Sequence, residues 1–150
     1  MKGIPMIENI LVPIDFSETT DKIIAVADEQ ALAFNATIHL LHVQVPFVNA
    51  SLHNMESSLA YKDSSPEIRK YDQEHLDEAA EKIKSRGIST ETTLVDGNPS
   101  EEILSYCEAN NIDVIIIGSH GHGALHHIIL GSESEKVLHK SSCPVMVVRS

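Results

Sequence analysis

A glycine-rich segment at residues 118–134 contains the residues best suited to chemistry in this sequence. It reads GSHGHGALHHIILGSES and directly follows the apolar run DVIII. Gly118 allows a sharp turn at the end of a strand, and Gly121 allows the backbone to approach a ligand without an intervening Cβ. Gly131 precedes a predicted helix, whose first N–H groups have no partner within the helix and lie at the positive end of its dipole. The segment is therefore predicted to bind an anion, most naturally a phosphate.

Ser132 has two compatible interpretations. With Glu135 it fits the S-x-x-E capping box, which predicts that Ser132 only starts the helix. A hydroxyl can also donate to a phosphate oxygen while it accepts from a backbone N–H. Each glycine of the segment, taken alone, indicates a turn rather than a ligand contact.

Positive charge near this segment depends on histidine. No Lys or Arg lies between Gly121 and Gly131, whereas four histidines lie within or beside this stretch: His120, His122, His126 and His127. Because histidine changes charge near neutral pH, we hypothesise that bound phosphate favours the protonated form of at least one of them, so that affinity falls as pH rises. Titrating the affinity between about pH 6 and 8 tests this hypothesis, and a flat curve would refute it.

A structural metal site built from these histidines is not expected. His126 and His127 are adjacent and do not easily face one ion from a regular element, and the sequence has no HExxH or Cys/His cluster. Mg²⁺ or Mn²⁺ arriving with a phosphorylated ligand fits better, since phosphates and water hold such ions. His39 and His42 lie within a predicted strand and are interpreted as packed core or sheet-face residues.

Short apolar runs provide the strands that must position the glycine-rich segment. DVIII and PVMVV are continuous rather than alternating, which is typical of parallel strands covered on both faces. The predicted strands are Asn9–Ile14, Thr37–Val45, Thr92–Val95, Asp113–Ile117 and Pro144–Val148.

Four helices are predicted between these runs. They extend from the N-cap Ser17 to Asn35, from about Glu67 to Arg86, onward from the N-cap Asn98 with Pro99 in the first position, and from about Ser132 to Lys140. This alternation predicts an α/β fold, a single open parallel sheet with helices on both faces. Such sheets bind ligands beyond the carboxyl ends of their strands.

Length and composition predict one domain over residues 1–150. The exception to regular periodicity is 46–65, interpreted either as a flexible flap near the site or as a surface insertion without a role. Two cysteines without a CxxC pair favour a reducing compartment and are interpreted as small apolar core residues. With no signal peptide or apolar run of spanning length, the expected location is the cytoplasm.

The net charge of −11 argues against two classes of partner. An acidic surface repels a nucleic-acid backbone and an anionic lipid surface, so neither nucleic-acid binding nor membrane insertion is expected. A small phosphorylated ligand remains compatible, because backbone N–H groups can make one pocket locally positive.

The spacing of Gly118, Gly121, Gly131 and Ser132, with two and then nine intervening residues, resembles the nucleotide motif of the universal stress protein family in its ATP-binding branch. Similar segments occur in the same order along nearly the whole chain: ILVPID at 10–15, LHV at 41–43, Gly97-x-Pro99 followed by Ile103, residues 113–121, and CPV at 143–145. Several separated matches are more specific than the glycines alone.

This resemblance implies a five-stranded Rossmann-like sheet of order 3-2-1-4-5 that binds an adenine nucleotide, ATP or AMP, between strands one and four. Strand one would contact the adenosine portion, the backbone of Val43 the adenine edge, strand four the ribose, and the final helix the phosphates. The residues carried over are Pro13, Ile14, Asp15, Val43, Ile117, Gly118, Gly121, Gly131, Ser132, Glu133 and Ser134. The resemblance also implies a stress-response regulator, and a homodimer that covers the apolar C-terminal strand.

Several alternatives remain open from the residues. Asp15 also fits a cap or first-turn charge for the first helix. Glu133 would repel phosphate unless its carboxylate points away or a cation bridges the two, so a nucleotide-free interaction module is one alternative function. A slow ATPase or phosphotransferase using Asp15 and the loop histidines is another. The absence of a GxxxxGK[ST] loop and of a basic residue in the segment predicts slow turnover at most.

Overall fold

The computed structural model describes residues 6–46, 65–120 and 130–149. Strands and helices alternate along the chain as predicted. They are β1 (Asn9–Pro13), α1 (Thr20–Phe34), β2 (Thr37–Gln44), α2 (Pro66–Lys84), β3 (Thr90–Asp96), α3 (Pro99–Ala109), β4 (Val114–Gly118), α4 (Ser132–Lys140) and β5 (Val145–Val148).

The five strands form one parallel sheet in the order β3-β2-β1-β4-β5. The central strand β1 places Pro13 opposite Leu41 of β2 and Ile10 opposite Val114 of β4. Both the predicted fold class and the strand order implied by the family resemblance are confirmed.

Helices cover both faces of the sheet, which is why β1 and β4 are mainly apolar. Side chains alternate in direction along a strand. On β1, Ile10 and Val12 pack into the layer under α1 and α2, whereas Leu11 packs into the layer under α3 and α4. All three side chains are fully buried. The chain therefore leaves β1 toward one face and β4 toward the other, and this divergence opens a cleft at the carboxyl edge of the sheet.

The first helix begins later than the sequence predicts. Ser17 is not its N-cap: α1 starts at Thr20, after a turn in which the Ser17 carbonyl accepts from the Thr20 N–H at 3.0 Å. The Ser17 N–H itself donates to the Asp15 carboxylate at 3.0 Å. Phe16 between them adopts a left-handed φ of 59°. This side-chain-stabilised turn uses the residues that the sequence pattern assigned to the helix start.

The other helix starts agree better with their sequence signals. As predicted, Asn98 caps α3, and its side chain accepts from the Glu101 N–H at 3.2 Å. Ser65 caps α2, while most of the 46–65 segment lies outside the described residues. β3 is longer than predicted because its polar residues also pair with β2, from Thr90 to Asp96. Among the described helices, none combines the length and apolar character needed to cross a bilayer.

His39 on β2 forms a buried polar cluster below α3. Its Nε2 lies 3.0 Å from Asn9 Oδ1, an acceptor, and its Nδ1 lies 2.9 Å from the Tyr106 hydroxyl, which can donate. Both contacts suit a neutral imidazole with its proton on Nε2. Burial lowers the pKa of His39, and the nearby Glu91 carboxylate only partly opposes this effect.

This lowered pKa predicts a loss of stability on acidification. The unfolded chain takes up a proton on His39 at about pH 6.5, whereas the folded chain takes it up only at lower pH. The contribution of neutral His39 to the free energy of unfolding is therefore fully present above about pH 6.5 and is lost as the pH falls through the folded pKa of His39. Urea unfolding at about pH 7.5 and 5.5 should show a larger loss for the parent than for His39→Gln. An equal loss in both proteins would contradict the assignment.

Candidate functional site

The sequence-predicted site residues gather along one edge of the sheet. Because β1, β2 and β4 are parallel neighbours, their carboxyl ends meet there. At the first strand, Pro13 ends β1, and Ile14 and Asp15 follow it. Val43 lies near the end of β2, and Ile117 and Gly118 end β4. Gly131 is the N-cap of α4, and Ser132, Glu133 and Ser134 form its first turn. Gly121 lies outside the described residues.

The N-terminus of α4 is hydrogen-bonded to the end of β4. The Gly131 N–H donates to the Ser119 carbonyl at 2.7 Å, and the Ser134 hydroxyl donates to the Gly118 carbonyl at 2.9 Å. Ser119 is buried, and its own N–H donates to the carbonyl of Val148 at the end of β5 at 2.9 Å. These bonds hold the first turn of the helix beside the last residues of two strands.

Gly131, not Ser132, is the N-cap of α4. Gly131 is extended, with φ −68° and ψ 157°, and no side chain caps this helix within the described part of the chain. The capping box predicted for Ser132 and Glu135 is therefore wrong, because the bond from Gly131 to Ser119 fixes the preceding residue as the cap. Ser132 becomes the first helical residue and is exposed, so its hydroxyl stands at the positive end of the helix.

Gly118 lies close to α1, and its backbone is not in the left-handed region. A Cβ at this position would lie 2.9 Å from Cδ1 of Ile23 on α1. Such a contact forces the neighbouring side chain to move. A glycine at the end of β4 thus leaves room for the end of the Ile23 side chain.

The Glu133 carboxylate points toward α3. One oxygen accepts from the Ser100 N–H at the start of α3, and the other accepts from Lys136, both at 3.0 Å. Partial burial alone would raise the pKa of Glu133, but the hydrogen bonds from Lys136 and Ser100 outweigh it and hold this pKa below its ordinary value. The negative charge of Glu133, which argued against a phosphate site, is therefore paired with Ser100 and Lys136.

Removing the contacts of the Glu133 carboxylate with Ser100 and Lys136 should lower the free energy of unfolding most at neutral pH. We expect Glu133→Gln to lose about 1 kcal/mol, because Ser100 is buried and its N–H would face a weaker acceptor across a partly solvated contact. Since the pKa of Glu133 is lowered in the folded chain, the parent has this stabilisation from the Glu133 carboxylate above about pH 4.3. It loses the stabilisation as the pH falls through the folded pKa of Glu133. Urea unfolding at about pH 7 and 4 measures both effects.

The matched control for Glu133 is Glu135→Gln on the same helix, where the carboxylate pairs only weakly with His139 at 3.7 Å and is exposed. This control should change stability little at either pH. Similar losses in both variants would show that the Ser100 contact does not stabilise the helix pair.

The end of β1 is held by hydrogen bonds to β2. The Ile14 N–H donates to the Leu41 carbonyl at 2.9 Å, and the Ile14 carbonyl accepts from His42 Nδ1 at 2.7 Å. A carbonyl can only accept, so Nδ1 carries a proton. The Phe16 ring packs 4.5 Å from the His42 ring between centroids. Asp15 is neither the cap nor a first-turn residue of α1: the N-cap is Thr19, and the Asp15 carboxylate accepts from the Ser17 N–H in the turn before the helix.

His42 also connects the segment after β1, at Ile14 and Phe16, to α2. Sequence reasoning missed this role. Its Nε2 lies 3.3 Å from the Asp72 carboxylate, which accepts from Gln44 at 2.5 Å as well. The three side chains are mostly buried. The available signal was a pair of polar residues within an apolar strand, because buried polar groups need partners. That signal does not identify Asp72 as the partner.

The described residues contain no group of three or more His, Cys, Asp or Glu side chains arranged to hold a metal ion. Of the four loop histidines, only His120 is described, and its Nδ1 lies 3.0 Å from the Ser119 hydroxyl.

Comparisons with known proteins agree with this architecture. Residues 6–149 match the model of the "Universal stress protein family". The chain is 31% identical to Universal stress protein YxiE of Bacillus subtilis, covering 96% of this chain and all of that protein. It is 33% identical to Universal stress protein MJ0577 of Methanocaldococcus jannaschii, covering 96% of each.

The solved structure of MJ0577 superposes with a TM-score of 0.82 at 30% identity, covering 97% of this chain and 98% of that one. A universal stress protein from Archaeoglobus fulgidus, solved in complex with dAMP, shares the fold with a TM-score of 0.68 at 22% identity, covering 95% and 98% of the two chains. The strand order, the family match and these relatives lead to one conclusion: the chain belongs to the universal stress protein family.

Proposed function

We propose that this chain binds an adenine nucleotide, ATP or AMP, in the cleft between β1 and β4, and acts as a stress-response regulator rather than a fast enzyme. The observation that carries the proposal is the start of α4. The N-cap Gly131 has an extended backbone, and its N–H donates to the Ser119 carbonyl just after β4. The exposed Ser132 follows it at the positive end of the helix. A helix N-terminus at the carboxyl edge of a parallel sheet is suited to a phosphate.

The adenosine end of the ligand is assigned to the neighbouring strands. Pro13, Ile14 and Asp15 would contact the adenosine, the backbone of Val43 the adenine edge, and Ile117 and Gly118 the ribose. The dAMP complex of the A. fulgidus relative supports an adenine nucleotide as the ligand class. The contacts of Ile14 with Leu41 and His42 support the proposal, because they hold this part of the cleft in place before a ligand arrives.

The phosphate end is assigned to Gly121, Gly131, Ser132, Glu133 and Ser134. Glu133 would contribute its backbone only, since its carboxylate is bound to Ser100 and Lys136. Mg²⁺ or Mn²⁺ would be held by the phosphates and water. Glu133→Gln should therefore leave nucleotide affinity unchanged, and a large gain would show that its carboxylate repels the phosphates.

Mass spectrometry of the denatured, purified protein tests the ligand class directly. A co-purified ATP or AMP, together with calorimetric binding of the same nucleotide to the emptied protein, is the expected result. A protein without nucleotide that also fails to bind ATP, AMP and cAMP would favour the interaction module. Steady-state phosphate release at about 1 to 1000 per second would favour the ATPase or phosphotransferase instead.

We also propose that the protein is a cytoplasmic homodimer that pairs through β5. In the described part of the chain, β5 pairs only with β4, and Met146 on it is 37% exposed. An apolar strand at a sheet edge is a ready surface for a second copy. Light scattering at micromolar concentration should give twice the chain mass, and a monomer would contradict this assembly.

A further inference from the structure

The two cysteines of the chain, 36 positions apart in sequence, meet in the fold. Cys107 lies on α3, and Cys143 lies in the segment between α4 and β5. Their sulfur atoms are 3.0 Å apart. Sequence reasoning interpreted each as a separate small core residue, because their proximity depends on the packing of α3 beside the start of β5.

Both cysteines are held in place by backbone structure. Cys107 lies within a regular helix and is 4% exposed, in the apolar layer beneath α3 and α4. Cys143 lies in a tight turn, where its N–H donates to the Ser141 hydroxyl at 3.1 Å and its carbonyl accepts from that hydroxyl at 2.8 Å. The proximity of the sulfurs is therefore a property of the folded chain.

The two thiols differ in access to solvent. Cys143 is half-buried, so a small oxidant in water reaches it first. Burial, with Cys143 beside it, raises the pKa of Cys107 to about 12, so Cys107 is a protonated thiol at neutral pH. Redox-active cysteines commonly combine an accessible sulfur with a second thiol that resolves it.

We propose that Cys107 and Cys143 form a site of reversible oxidation by hydrogen peroxide, which closes a disulfide between α3 and the segment preceding β5. Cys143 Sγ attacks one oxygen of hydrogen peroxide and the O–O bond breaks. Cys143 becomes a sulfenic acid, and the departing hydroxide takes the Cys143 thiol proton and leaves as water. Cys107 Sγ then attacks Cys143 Sγ, the S–S bond forms, the S–O bond breaks, and the departing hydroxide leaves as water with the Cys107 proton. Two thiols are oxidised, one peroxide is reduced to water, and a thiol reductant reverses the change.

The disulfide would fix the start of β5 to α3. Cys143 precedes Val145, the first residue of β5, by two positions, and the far end of β5 accepts the Ser119 N–H. This site does not depend on the proposed nucleotide, since neither cysteine belongs to the candidate cleft.

The test uses the full chain, reduced, desalted and treated with hydrogen peroxide. We expect both free thiols to disappear together, the intact mass to fall by two hydrogen atoms, and digestion to yield a peptide pair joined through Cys107 and Cys143. A thiol reductant should restore the original mass. Because the chain has two cysteines in all, no other pairing within one chain competes.

Two single-cysteine variants and the parent unfolded in urea serve as controls. In Cys107→Ser, Cys143 should gain oxygen atoms without a cross-link, whereas Cys143→Ser should leave Cys107 unmodified at the same exposure. Once Cys143 is a sulfenic acid, the disulfide should close at least about tenfold faster in the native parent than in urea, because folding raises the effective concentration of one thiol near the other. Equal rates, persistence of both thiols, or a cross-link between two chains would overturn the proposal.

Discussion

Replacing Gly131 with valine is expected to weaken nucleotide binding at least about 100-fold, a loss of roughly 2.7 kcal/mol. Gly131 is the N-cap of α4, so a branched side chain there would occupy space beside the phosphates and the first helical N–H groups. Calorimetry with ATP and with AMP measures the loss.

A graded series separates binding from folding. The backbone angles of Gly131 suit any L-residue, and a Cβ would lie 3.4 Å from the Ser119 carbonyl oxygen, an ordinary contact. Gly131→Ala should therefore fold normally and bind more weakly than the parent, and valine should reduce binding further at a similar Tm. A valine variant that binds like the parent would show that the phosphates lie elsewhere. Loss of folding in both variants would show that the turn, rather than a ligand, requires glycine.

The second large effect is expected at His42. We expect His42→Leu to lower the free energy of unfolding by about 2–4 kcal/mol, because leucine removes the donor to the buried Ile14 carbonyl, the partner of Asp72 and the ring contact with Phe16. Nucleotide affinity should fall as well, since Ile14 lies at the adenosine end of the proposed site. Urea unfolding and calorimetry measure the two losses separately.

Asparagine is the matched replacement at His42. Its side-chain amide can donate from nearly the position of Nδ1, so His42→Asn should recover part of the stability and most of the affinity. Equal losses for leucine and asparagine would show that the Ile14 contact does not position the end of β1.

Local patterns predicted the fold because each element carries its own signal. The run DVIII gave β4, and Asn98 with Pro99 gave the start of α3 at the observed residues. The strand order came from the family resemblance rather than from those patterns. Ser17 misled the prediction of α1 because it lies in a turn that follows the left-handed Phe16 and precedes the helix, and the Asp15 carboxylate accepts from the Ser17 N–H in this turn.

Partners that are distant in sequence account for what the patterns missed. Ser132 and Glu135 fit a capping box, but the carbonyl of Ser119 fixes Gly131 as the cap instead. The orientation of Glu133 depends on Ser100, 33 residues away, and no local spacing connects the two. Asp72 with His42, and Cys143 with Cys107, likewise meet only after the helices have packed on the sheet.

The contact between Glu133 and Ser100 has a mechanical consequence for the layer formed by α3 and α4. The Glu133 side chain connects the N-termini of α3 and α4. If a bound anion shifted the start of α4, the start of α3 would therefore move with it. Ligand binding at the cleft would thus also displace the start of α3, the helix on which Cys107 lies.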